Sequence, residues 1–239
     1  MNIAIIGYGK MGHEIEKYAT EMGHHVSAII DNHKDWELKN DALDNSDVAI
    51  EFTTPDVVVE NLKRLIDRGL PVVTGTTGWT HRLQEVEQYC TKGNASVFYA
   101  SNFSIGVNLF FALNRYLAKL MANYGDYTIR LEEIHHTQKL DAPSGTAVSM
   151  LKDIMDLHPK YNDWKFHDEN PGKNEIAVTA HRIEGVTGEH LLSYESAIDS
   201  IKIEHVAHNR EGFAKGALMA AQWLPGKKGV YTMNDLLKL

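Results

Sequence analysis

Apolar positions follow one rhythm in the N-terminal part of the chain and another after it. NIAII (2–6) is a continuous apolar run that ends in GYGKMG, after which Ile15, Tyr18, Ala19 and Met22 recur at helical spacing up to Gly23. HVSAII (25–30) reads as a second buried strand and closes on Asp31. Strand DVAIEF (47–52) comes next, then a helix with Thr54 as N-cap, Pro55 at its first position and Gly69 as its stop, then strand PVVT (71–74). Loop GTTGW (75–79) leads to a helix carrying Leu83, Val86 and Cys90, and that helix to strand ASVFYA (95–100). Short apolar runs alternating with amphipathic helices predict a parallel, doubly wound sheet of the Rossmann type.

After Asn102 the pattern changes. A long apolar helix over about 105–122 carries Phe110, Leu113, Leu117 and Leu120 on overlapping faces. YTIRLEEI, EIAVTAHR, HLLSYES and IKIEHVA then alternate or nearly alternate, with turns that leave no room for helical crossovers. They predict a mixed, largely antiparallel sheet. The expected class is therefore α/β: an N-terminal doubly wound sheet followed by an α+β domain. The last helix, around 212–224, and the tail through Leu239 fit either domain on pattern alone. No internal repeat or low-complexity segment interrupts the chain.

Length and composition narrow the functional classes. The 239 residues suit one large domain or two small ones, and 43% hydrophobic with 23% charged residues is an ordinary globular balance. A net charge of −8 speaks against nucleic acid as a partner, because such binding needs a basic face to neutralise phosphates. A single cysteine, Cys90, rules out an intrachain disulfide. MNIAIIGYGK lacks the basic start and long apolar core of a signal peptide, so a cytoplasmic location is expected, and no apolar run is long enough to give a membrane role.

Two segments carry candidate chemistry. In Gly7-x-Gly9-x-x-Gly12 the first glycine permits a tight turn, the second lets backbone approach a pyrophosphate, and the third allows close helix packing. Free amides at the helix start would hold the phosphates. Asp31 could accept from the adenine-ribose diol, which favours NAD over NADP, while Lys10 and Lys34 offer a counter-charge for a 2′-phosphate. GTTG (75–78) lies where ligands of such sheets bind, and its small residues would let amides approach a nicotinamide.

The second segment is EEIHHTQKLDAPSGTA (132–147). It is a poor metal site: neighbouring side chains on a strand point to opposite faces, no cysteine is near, and no HExxH helix exists, so no metal is expected. A structural role for the histidines, with Lys139 as a solvated charge, is one alternative. The other is a site for an anionic substrate that needs proton transfer. Pro143-Ser144-Gly145-Thr146 marks a helix start able to bind a carboxylate, Lys139 adds a positive charge, and histidine exchanges protons near neutrality. Set opposite a nicotinamide, such a clamp implies hydride transfer coupled to protonation. If His135 and His136 both serve one ligand, the chain must leave strand geometry between them.

HHTQKLDAPSGTA resembles the HHxxKxDAPSGTA motif of the 4-hydroxy-tetrahydrodipicolinate reductase family of bacterial and plant lysine biosynthesis, at every fixed position. GYGKMG, EFTTP, GTTGW, ASNFSIGVN and the segment around Arg182 and His190 agree in order, so the resemblance covers nearly the whole chain. It implies a nucleotide-binding domain over 1–102 and 216–239 that takes NADH or NADPH, and a domain over 103–215 that binds a small dicarboxylate substrate and builds a homotetramer. By the same resemblance His135 is the acid/base residue and Lys139 the general acid, while His136, Gly145 and Thr146 hold substrate carboxylates. Gly7, Tyr8, Gly9, Lys10, Met11, Gly12, Asp31, Gly75, Thr76, Thr77, Ala100, Ser101, Asn102 and Phe103 correspond to cofactor contacts. The implied reaction adds hydride at C4 of a conjugated ring imine, and a proton follows at C3.

Two departures bear on the cofactor. The span from Asp31 to Glu51 is short for the family, with Asn32 where many members carry arginine, and Lys10 replaces an arginine in the glycine loop. The rival readings are another small amino-acid-pathway enzyme, such as an aspartate dehydrogenase, and a non-catalytic NAD(H)-binding sensor. The HHxxKxDAPSGTA match speaks against the first. An inert sensor would have no need of His135 and Lys139 together.

Overall fold

In the computed structural model, which describes residues 1–239, the apolar runs and amphipathic stretches become strands and helices in alternation. In order these are β1 (Asn2–Ile6), α1 (Lys10–Glu21), β2 (His25–Ile30), α2 (His33–Leu38), β3 (Val48–Glu51), α3 (Val58–Asp67), β4 (Val72–Thr74), α4 (Leu83–Lys92) and β5 (Ser96–Tyr99). There follow α5 (Ile105–Met121), β6 (Thr128–His135), α6 (Gly145–Leu157), β7 (Asp163–Phe166), β8 (Glu175–Arg182), β9 (Gly188–Glu195) and β10 (Ser200–Ala207). The chain closes with α7 (Glu211–Trp223), β11 (Gly229–Tyr231) and α8 (Met233–Leu237). It divides into two units, Met1–Ile105 with Glu211–Leu239, and Gly106–Arg210.

The first unit is a six-stranded sheet in the order β11-β5-β4-β3-β1-β2, parallel throughout. Alternation sorts its side chains. Ala4, Ile6, Ile30, Ala49, Val72 and Val97 face α3 and α4, where Leu62, Leu65, Val86 and Cys90 cover them. Ile3, Ile5, Val48, Ile50, Val73 and Phe98 face Ile15 and Ala19 of α1 and Ala217, Leu218 and Ala221 of α7. Each Ile, Leu or Val so buried contributes about 2 kcal/mol.

The start of α3 differs from the Thr54 cap that the sequence predicts. The Thr54 carbonyl accepts from the amides of both Val57 and Val58 at 3.2 Å, so the first turn is shared and loose, and the regular helix begins at Val58. Gly69 ends it as expected, with φ +70° and its amide on the Ile66 carbonyl. No element is predicted between Asp31 and Asp47. There α2 is held by an Asn32 cap on the Asp35 amide and by the Lys39–Asp35 pair at 2.9 Å, with no buried residue of its own.

In the second unit α5 and α6 lie on one face of a five-stranded sheet, β10-β9-β6-β8-β7. Ile129, Leu131, Ile176, Val178, Leu192 and Tyr194 pack there against Phe110, Ala118, Met150, Leu151 and Ile154. The sheet is evenly mixed: β6 and β10 run antiparallel to β9, whereas β6 and β7 run parallel to β8. It is less antiparallel than the alternation suggests because α6 returns the chain to β7 in the direction of β6, and β8 then runs parallel to both.

Candidate active site

Each glycine of the N-terminal loop has its own reason. Gly7 has φ +89°, and a Cβ there would lie 2.1 Å from the Phe52 carbonyl oxygen; one at Gly12 would lie 2.4 Å from the Gly7 carbonyl. Gly9, the residue before α1, faces open space, with nothing within 4 Å of its missing Cβ. Two glycines thus close the turn, and the third leaves backbone free for a ligand. The Tyr8 amide donates to Asp31 Oδ1 at 2.6 Å, which ties the loop to the end of β2. Gly7, Tyr8, Gly9 and Asp31 line a cleft of about 590 Å³ with Trp36 and Phe52. Its backbone approach and free helix start suit a dinucleotide pyrophosphate. Lys10 is exposed at the start of α1, Met11 is half-buried, and Gly12 is packed beneath them.

The other sequence-assigned cofactor positions follow β4 and β5. Gly75 packs against the Phe52 ring, where a Cβ would lie 2.1 Å from ring carbon, while Thr77 is exposed. Thr76 is turned inward: its hydroxyl donates to Glu51 Oε2 at 2.9 Å and accepts the Thr53 amide at 2.8 Å. Thr74 donates to the same carboxylate at 2.5 Å, as does Thr53. Buried Glu51 therefore knots the loops after β3 and β4 together. Burial pushes its carboxyl up, and the hydroxyls partly offset that. The Ala100 amide bonds the Thr74 carbonyl, Ser101 is exposed, Asn102 accepts the Ser104 amide, and Phe103 is buried against Phe52 and Phe98. The side chains of Thr76 and Phe103 are thus both packed inside the first unit.

In the second unit, β6 buries Ile129, Leu131, Glu133 and His135 on one face, so the core turns from apolar to ionisable along a single strand. Register brings the partners. Glu133 lies opposite His190 of β9, and His135 opposite Arg182 of β8. Arg182 Nη2 donates to Glu133 Oε1 at 2.9 Å, and His135 Nδ1 lies 2.9 Å from Glu133 Oε2, off the line of a hydrogen bond. His190 Nε2 is 3.9 Å from the same oxygen and 3.0 Å from the Ser144 hydroxyl, with its ring edge-on to His135 at 5.1 Å. Burial pushes the Glu133 carboxyl up, but the donors close around it, His135, Ser144 and Arg182, outweigh burial and hold the group at about 2. Burial, with His135 beside it, lowers His190 to about 4.

β6 ends at His135, whose carbonyl accepts the Ile183 amide at 2.7 Å, and the chain leaves the strand at His136. The two histidines are thereby freed from opposite-face geometry. His136 Nε2 takes a hydrogen bond from Arg210 at 3.0 Å, and its carbonyl accepts the Lys139 amide in a turn. Desolvation and Arg210 lower the His136 ring. Lys139 Nζ is 2.9 Å from Asp141 Oδ1. Arg182 also binds the Lys139 and Asp141 carbonyls, at 3.3 and 2.6 Å, and so staples this turn to β8. Ser144 caps α6 through the Ala147 amide at 3.2 Å, leaving the leading amides of Gly145 and Thr146 without an intrahelical acceptor.

Glu133, His135 and His190 offer three ligand atoms within 4.8 Å, a spacing that suits a metal ion. The charge around them does not: Arg182 already neutralises the one carboxylate, and a dication would sit beside a guanidinium that cannot deprotonate. The sequence reading assigned no role to Glu133, Arg182, His190 or Arg210. A signal for the first three exists, because each continues an inward-facing series: Ile129-Leu131-Glu133, Ile176-Val178-Ala180-Arg182, and His190-Leu192-Tyr194.

Nucleotide phosphates in one unit and a small anion with a proton donor in the other are what these surfaces suit, as in a nicotinamide-dependent oxidoreductase. Residues 1–103 match the family model described as dihydrodipicolinate reductase, N-terminus, and residues 106–237 the one described as its C-terminus. The chain belongs to the dihydrodipicolinate reductase family. It is 41% identical to a 4-hydroxy-tetrahydrodipicolinate reductase of Christiangramia forsetii, over 99% of this chain and 98% of that one. A relative of the same name from Clostridium novyi is 36% identical over 96% and 95%. Among solved structures, dipicolinate-bound dihydrodipicolinate reductase from Paenisporosarcina sp. TG-14 shares the fold, with TM-score 0.76 and 20% identity over 97% of each chain.

Proposed function

We propose that the chain reduces the 4-hydroxy-tetrahydrodipicolinate-derived ring imine to tetrahydrodipicolinate, with His135 as acid/base residue and Lys139 as the acid that protonates carbon. The observation that carries this is segment 132–147, in which the strand ends at His135 and a helix starts at Gly145, so that one short turn holds imidazole, ammonium and free amides. When bound, the reduced nicotinamide supplies the hydride. The Gly145 and Thr146 amides and His136, with Arg210 beside it, bind carboxylate. Lys139 exchanges Asp141 for the substrate and delivers its proton to the ring carbon made electron-rich. Loss of absorbance at 340 nm with the product of dihydrodipicolinate synthase tests the activity, and no oxidation of NADH would sink it. Lys139→Ala is expected to lower kcat at least ~100-fold while nucleotide affinity stays within about twofold; a near wild-type kcat would remove Lys139 from the role.

Either cofactor serves, with NADH at least as good. Asp31 accepts the Tyr8 amide through one oxygen and keeps the other for a ribose diol, where its carboxylate would repel a 2′-phosphate. A large preference for NADPH in steady-state kinetics would overturn this. The working form is a homotetramer: Leu109, Leu113, Tyr116 and Leu120 make an exposed apolar stripe on α5. Light scattering of a monomer at assay concentration would contradict it.

A further inference from the structure

We propose that Glu133 is a positioning residue: its carboxylate fixes the Nδ1 edge of His135, so that the Nε2 edge is the one offered to substrate. This rests on the acid/base reading of His135. Glu133 is fully buried, and Arg182 fastens its Oε1, leaving Oε2 2.9 Å from His135 Nδ1. On the other edge of the ring stands Gly188, where a Cβ would come within 3.1 Å of Nε2. The ring is therefore held on one side by charge and given clearance on the other by a missing side chain. A neutral imidazole carries one N–H, and a carboxylate at Nδ1 claims it, which leaves Nε2 to exchange protons with a ligand. The approach to Oε2 is off-line in the free protein, as such contacts often are before substrate tightens them.

The charged and titratable groups around the ring are Glu133 on its own strand, Arg182 on β8, His190 on β9 with His205 beyond it, and His136, Lys139 and Asp141 in the turn. Among them Glu133 is the carboxylate in contact with Nδ1. Glu133→Gln inverts the arrangement in a defined way. Arg182 needs an acceptor, so the amide oxygen turns to it and the NH₂ group faces His135, forcing Nδ1 to accept and the proton onto Nε2.

The test is histidine-ring ¹⁵N NMR of the ligand-free full chain, at a pH where the ring is neutral, beside steady-state kinetics. The wild type is expected in the Nδ1–H form and Glu133→Gln in the Nε2–H form, with kcat at least about tenfold lower and substrate KM within about threefold. Gly188→Ala should keep the Nδ1–H form yet lower kcat by crowding Nε2. A wild-type ring in the Nε2–H form overturns the proposal without any variant. So does a folded Glu133→Gln protein with an unchanged tautomer, even if turnover falls, since Glu133 would then be merely structural. The tautomer is read without substrate, so it judges Glu133 separately; turnover retained by His135→Gln would instead remove the acid/base reading.

Discussion

Arg182 and Glu133 meet at 2.9 Å from neighbouring strands, and the same guanidinium holds the Lys139 and Asp141 carbonyls. One side chain thus fixes both the carboxylate beside His135 and the turn that carries Lys139. Arg182→Ala leaves a buried carboxylate unpaired and is expected to cost about 3 kcal/mol in urea unfolding and at least ~10-fold in kcat. Arg182→Lys should recover little of either, because an ammonium cannot span carboxylate and two carbonyls as the planar fork does. Near-complete rescue by lysine would reduce the contact to simple charge pairing.

The glycine loop separates folding from binding. Gly7→Ala places a methyl against the Phe52 carbonyl at positive φ and should destabilise the first unit by more than ~2 kcal/mol. Gly9→Ala has room for its methyl, so its melting temperature should stay near wild type while NADH affinity, followed by nucleotide fluorescence, falls at least ~10-fold. Equal losses of stability in both variants would contradict this division.

Thr76→Val tests the Glu51 knot. It removes a hydroxyl that serves Glu51 and the Thr53 amide together, and should cost about 1–3 kcal/mol. Because the loops it joins belong to the first unit, the KM for nucleotide should rise several-fold with little change in the KM for substrate. A rise in substrate KM alone would place the effect elsewhere.

Acid sensitivity should begin with His190. Its folded-state value, about 4, lies below the ordinary 6.5, so an unfolded chain binds the proton first and stability falls as pH drops from about 6.5 to 4. The loss from this residue amounts to about 3 kcal/mol. Glu133, held at about 2, has the same sign at lower pH: its stabilisation is full above its ordinary 4.5 and is lost toward 2. Urea unfolding across this range should show a shallower slope between pH 6.5 and 4 for His190→Gln. An identical slope in the variant would assign the acid loss to other groups.

Patterning made the first unit legible because its strands are short, apolar and punctuated by glycines, of which Gly7, Gly12 and Gly75 have no room for a side chain. It missed α2, which buries no residue, and β11, whose residues are all half-buried, since neither leaves a periodic trace. At the site, His135, Lys139 and the helix start stand close in sequence and could be read together. Glu133 continues the inward series of Ile129 and Leu131 while Glu132 beside it faces outward, so its burial was legible from alternation, but its partners were not. Arg182 and His190 come from other strands, and no local spacing links them to the histidine turn. Departure from strand geometry after His135, required if both histidines act together, is found.

The order of synthesis follows from how the first unit is assembled. α7 covers one face of its sheet, and β11 pairs with β5, yet residues 211–239 leave the ribosome only after every residue of the second unit. α1 can already cover Ile3 and Ile5, but Ile50 and Val73, on the strands against which α7 packs, must wait uncovered while the later unit folds. During translation that unfinished sheet is the surface for which a chaperone would compete.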